Sequence, residues 1–248
     1  MVPTVDIAFI AAELDRLADE IERALEDRSE DVEPRFGVLR AGLQTLLSRL
    51  RSAEADSLAV SAIALRSVTG NAPDALLTHG MDLLSQLAAL AGRLHLPRVA
   101  LGVEELALPL ACWLIRRGAE LHRPEPAVNA AAALANVLHD PDALADLYAL
   151  MREIVDGFSP QRIQEAAAGD PTHPWRVLLL ERASVATRSL RPALMVEAFD
   201  LLGDQFPDVA PDFFREGMGQ MEAQGYPQPV RETMERYYVR WSARQRLH

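Results

Sequence analysis

Leucine and alanine recur at intervals of three and four residues through almost the whole of this 248-residue chain, and runs of β-branched residues are almost absent. Both residues are strong helix formers, and the spacing places them on one face of a 3.6-residue helix. The apolar set Ile7, Ile10, Leu14, Leu17, Ile21 and Leu25 is the plainest case, a stripe with acids on either side. Strands would need the alternating, β-branched pattern that the chain lacks. The sequence therefore predicts an all-α fold of antiparallel helical hairpins.

Turn and cap signals divide the chain. A first helix is expected from about Thr4, as N-cap, to Ser29, and a second after Pro34 with Phe36, Leu39, Leu43, Leu46 or Leu47, and Leu50 inward. A third follows Asp56 or Ser57 and stops at Gly70. Asn71-Ala-Pro-Asp opens a fourth, with Leu76, Leu77, Leu83, Leu84, Leu87, Leu90 and Leu94 inward, which ends before Pro97. A fifth spans about 98–118, where Pro109 must kink or divide it, because proline lacks a backbone donor and clashes with the preceding turn. Helices over about 127–138, 141–157, 160–168, 175–190, 192–205, 211–224 and 228–246 complete the pattern. Residues 1–97 read as N-terminal hairpins and 98–248 as a region of similar hairpins. Gly169 to Pro174 is a candidate internal break, although the whole also reads as one continuous domain.

Composition removes several chemistries. The 25 basic residues are all Arg, so no Lys is present for a Schiff base, a P-loop or a kinase site. A net charge of −11 disfavours general nucleic-acid binding. One cysteine, Cys112, excludes a disulfide framework and cysteine-based metal clusters, and its apolar setting marks a buried hydrophobe. The longest uncharged apolar run, Leu106 to Ile115, is too short to cross a bilayer. With no basic leader ahead of an apolar core, a cytoplasmic protein without membrane insertion is expected. Residues 1–33 hold eleven acids and three Arg, a balance of −8, whereas residues 228–248 hold five Arg and two Glu, a balance of +3. This asymmetry suits contact between ends, within a chain or between copies, and equally suits the solvated faces of terminal helices.

The chain also repeats. Shifted by 65 residues, Leu114, Arg117, Gly118, Leu121, Ala130 and Leu134 fall on Leu179, Arg182, Ala183, Ala186, Met195 and Phe199, and Pro141 answers Pro207 with a one-residue slip. Over residues 111–248 this spacing resembles two units of the tetratricopeptide repeat, a helix–turn–helix unit of about 34 residues. The early aromatic of that repeat is replaced by leucine at 114 and 179, and arginine stands at 117 and 182 where a leucine is usual. The resemblance implies a right-handed α-solenoid, with an irregular helical bundle as the other architecture open to such a sequence. It also implies a binding function. Arg116, Arg117, Arg182 and Arg188 lie in or just after the first helices of the units, and would face an acidic peptide or subunit across a groove; alternatively they pair with neighbouring acids. Tyr237, Tyr238 and Trp241, at helical spacing near the C-terminus, are either core or a partner surface.

An enzymatic alternative rests on Ala131 to Asp140. This alanine-leucine helix ending in His139-Asp140 resembles the HD-domain metal-dependent phosphohydrolases, and would make His95, His139 and Asp140 metal ligands, with Asp200 or Asp204 as a later one. The sequence continues Pro141-Asp142, however, where that family has an apolar residue, Gly and a basic residue, and Asp140-Pro141 is also a helix N-cap with proline at the next position. A small-molecule-binding regulatory bundle, with a pocket near Pro109 and Trp113, is a third reading. The reading favoured is a non-catalytic protein–protein interaction module without a cofactor: an adaptor, assembly factor or accessory subunit. Its N-terminal hairpin and C-terminal helix would meet partners, and the striped first helix would drive homo-oligomerisation.

Overall fold

The computed structural model describes residues 1–26, 33–55, 62–166 and 170–245. Among these the chain forms thirteen helices: α1 (Ile7–Glu26), α2 (Glu33–Ala55), α3 (Ala62–Thr69), α4 (Pro73–Arg93), α5 (Pro97–Glu105), α6 (Ala107–Ile115), α7 (Glu125–Val137), α8 (Pro141–Gly157), α9 (Pro160–Ala166), α10 (Pro174–Arg188), α11 (Pro192–Gln205), α12 (Ala210–Gln224) and α13 (Gln228–Gln245). The fold is all-α, and successive helices pair antiparallel. The principal pairs are α4 with α5, α10 with α11 and α12 with α13, while α8 packs on α10 and carries the core across the middle.

Local chemistry sets the boundaries. Proline occupies the first or second position of α4, α5, α7, α8, α10, α11 and α12, where its missing donor costs nothing and its fixed φ favours the helix. Asp140 caps α8, its Oδ2 accepting from the Ala143 amide at 2.8 Å. The cap of α1 is Asp6 rather than the expected Thr4: Asp6 Oδ1 accepts from the Phe9 amide at 2.9 Å. The expected caps of the third helix, Asp56 and Ser57, and the end of the first at Ser29 lie outside the described residues, as does Gly169 of the candidate break.

Of the two outcomes expected at Pro109, a kink or a division, the fifth helix takes the division. The chain leaves the helix at Leu106, between α5 and α6, three residues before Pro109. Proline at 109 cannot donate to the carbonyl of Glu105 and would crowd it, so the break falls there. The result is a short, wholly apolar α6 whose residues Ala107 to Leu114 are all buried.

One apolar cluster runs from Ile7 in α1 to Trp241 in α13. Every member of the α1 stripe is inside it, as are the seven inward leucines of α4 and its C-cap. The stripe is covered by α2, α5 and α6 of the same chain. The surface expected to drive self-association is thus consumed within one molecule. Cys112 is buried, its thiol donating to the Leu150 carbonyl at 3.8 Å, and burial raises its pKa. No helix among the described residues is long and apolar enough to cross a membrane.

Candidate functional site

The four arginines expected to face a partner are each engaged inside the chain. Arg117 lies over the Trp113 ring at 3.4 Å from its centroid, donates to the Trp113 carbonyl at 2.8 Å and reaches Glu54 at 3.4 Å. Burial pulls its guanidinium below the usual arginine range, against the pull of Glu54. The Trp113 indole donates to the same Glu54 carboxylate at 3.3 Å, and Trp113 and Pro109 are both buried in α6. Arg182 is 2% exposed, stands 4.5 Å from the Tyr148 ring centroid and pairs with Glu197. Arg116 makes a two-pronged pair with Glu153, both contacts at 2.9 Å, at the surface.

Arg188 does something different. It donates from one terminal nitrogen to the Ala135 carbonyl at 2.7 Å and from the other to the Leu138 carbonyl. These are carbonyls at the C-terminal end of α7, where the helix dipole favours a cation.

The 65-residue shift meets the structure unevenly. Ala130, Leu134, Met195 and Phe199 occupy equivalent buried places in α7 and α11. Gly118 lies beyond the end of α6 with φ 83°, whereas Ala183 is in the body of α10, so the first helices are out of step. Arg117 and Arg182 nevertheless share a setting: each guanidinium has an aromatic ring on one side and a carboxylate within reach.

The aromatic residues near the C-terminus are core. Tyr237 and Trp241 are buried, and Tyr238 packs against the cluster. Tyr237 stands 5.1 Å from Phe199 and 5.4 Å from Phe214, ring centroid to centroid, and its hydroxyl donates to Asp200 at 2.8 Å. Burial, then Asp200, pushes the phenol up to about 12. An added Cβ at Gly203 would stand 2.5 Å from the Trp241 ring, so helix α11 and the indole meet closely.

The His-Asp pair forms a helix boundary. His139 is exposed after the end of α7, and Asp140 is spent on the α8 cap. His95 is the left-handed residue (φ 59°) that closes α4. Its amide donates to Gly92 and that of Leu96 to Ala91, both at 3.0 Å, which is a Schellman turn. Among the described residues no three His, Cys, Asp or Glu side chains group to hold a metal ion.

Two clefts hold charged groups of a kind the sequence pattern did not point to. Between α2 and α4 lies a cleft of 470 Å³, lined by Ala41, Gly42, Thr45, Leu46, Arg49, Asn71, Ala75, Leu76 and His79. Its walls are mostly small, no acid lines it, and Arg49 has no ion-pair partner among the described residues. Between α10 and α12 lies a second, of 160 Å³, in which Glu181 is a half-buried carboxylate. Burial raises the Glu181 carboxyl above the usual glutamate range, and Arg188 opposes this. Neither Arg49 nor Glu181 belongs to a motif; what marks them is a place in a cleft with no hydrogen-bonded or ion-pair partner among the described residues, which only three-dimensional packing defines.

In comparisons with known proteins, no family model, no curated protein and no solved structure gives a significant match.

Proposed function

We propose that this protein is a non-catalytic interaction module, an adaptor, assembly factor or accessory subunit, that holds an acidic helix or extended segment of a partner in the cleft between α2 and α4. The observation that carries the reading is Arg49 in that cleft. Its guanidinium is exposed and without an ion-pair partner among the described residues, beside small side chains that leave room for another chain. Arginine is suited to carboxylates, which it meets in a two-pronged geometry. The groups with catalytic potential support the same reading from the other side: His95 and Asp140 work at helix ends, His139 is exposed between α7 and α8, and Cys112 is sealed in the core.

The test is binding of a fluorescein-labelled Glu-rich amphipathic peptide, followed by anisotropy, to wild type and Arg49→Glu. The reading expects saturable binding that weakens by about tenfold or more on charge reversal, since a charged contact is replaced by repulsion. Binding unaffected by Arg49→Glu would refute it. Stoichiometric divalent metal with phosphatase activity, both lost in His139→Ala, would favour the hydrolase instead.

A further inference from the structure

The cleft between α10 and α12 differs in charge from the one assigned to the acidic partner. Arg188 reaches its wall, but both terminal nitrogens are donated to α7 carbonyls. Glu181 remains: half-buried, facing the cleft, and with no hydrogen bond or ion pair to any described residue. Glu216 adds a second carboxylate on the exposed rim, and Phe213, Tyr226 and Met234 supply apolar walls. A carboxylate stripped of part of its water is unfavourable; Arg188, its guanidinium held by the α7 carbonyls, offsets this only in part, and a cation entering beside Glu181 removes more of the penalty.

We propose that this cleft binds an alkylammonium group, with Glu181 as its counter-ion, Glu216 as a rim charge, and Phe213 and Tyr226 packing on its methylenes. Aromatic side chains attract cations as well as burying alkyl surface, so both parts of such a ligand are served. The volume of 160 Å³ suits a short amine rather than a large ring system. The chain contains no Lys, so the ammonium comes from another molecule, either a lysine side chain of a bound protein or a free aliphatic amine.

The experiment is an NMR titration of the full chain with n-butylammonium chloride, Nα-acetyl-lysine amide and, as a neutral control, n-butanol. Saturable shifts of the Glu181 and Tyr226 amides with the first two, and not with butanol, are expected. Glu181→Gln, nearly the same shape, weakens the ammonium by about tenfold, equivalent to about 1.4 kcal/mol. Glu216→Gln, on the rim, weakens it by about threefold, the scale of an exposed charge pair. Because Glu216 is exposed, that variant keeps the test open should Glu181→Gln fold poorly. Tighter binding of the lysine derivative identifies a protein side chain as the source, and tighter binding of butylammonium a free amine. Equal shifts with butanol, or affinity unchanged in either variant, would overturn the proposal. It does not rest on the α2–α4 reading: Arg49→Glu leaves ammonium binding intact, and Glu181→Gln leaves the acidic peptide bound.

Discussion

The cleft between α2 and α4 and the cleft between α10 and α12 each lie between two helices separated in sequence by one other. They differ in which charge has been left without an internal partner. In the first it is Arg49, in a protein whose net charge is −11. In the second it is Glu181, beside an arginine already committed to the end of another helix. Charge type therefore says little about availability. Arg182 and Arg49 are the same residue, yet one is sealed between Tyr148 and Glu197 and the other stands in an open cleft.

The largest effect that could break this contrast is on stability. Arg182→Ala removes a buried guanidinium and leaves a void, and should destabilise the protein by about 3 kcal/mol in urea unfolding. Arg49→Ala, at the surface, should change it by no more than about 0.5 kcal/mol. Equal effects would mean that the two arginines are not committed and available as described. Arg188→Gln comes next, at about 1 to 2 kcal/mol, because carbonyls at the end of α7 lose a charged donor. The same variant should tighten alkylammonium binding beside Glu181, since the opposing cation is gone; weaker binding would place Arg188 in the ligand's favour.

His95→Gly sharpens the account at a smaller scale. A left-handed histidine is strained relative to glycine, so this change should raise stability by about 1 kcal/mol in thermal or chemical unfolding. Loss of stability accompanied by loss of bound metal would instead revive the ligand role. The smallest effect concerns pH. Because the Glu181 carboxyl is raised in the folded protein, the native state holds its proton more firmly than the unfolded chain does. Stability therefore falls as pH rises from the ordinary glutamate range through that raised value. Glu181→Gln should flatten this slope in melting curves taken across the window, and Arg49→Ala should leave it as in wild type.

Much of the fold was legible in the sequence because it is written in local terms. The three-four leucine spacing located the inward faces of α1, α2 and α4, and proline and aspartate marked the starts of α4 and α8. Pro109 announced a break, though only the structure places it at Leu106, one turn earlier, where the clash falls. The Arg-based site was less legible. Arg117 and Arg182 recur at a 65-residue interval, but the pattern reflects shared burial against an aromatic ring and an acid. The partners Glu54 and Glu197 lie 63 residues before and 15 after their arginines, so no window of sequence reveals them. Availability is a property of what the rest of the chain leaves unpaired, and for Arg49 and Glu181 it emerges only after folding.

The most direct test of the interaction reading is quantitative capture from a native-host extract by immobilised wild type, Arg49→Glu and Glu181→Gln, with the contacts then mapped by cross-linking. The expected result is a partner whose acidic segment cross-links to α2 or α4, is lost with Arg49→Glu and persists with Glu181→Gln. A captured set unchanged by Arg49→Glu, or cross-links that fall away from α2 and α4, would contradict it.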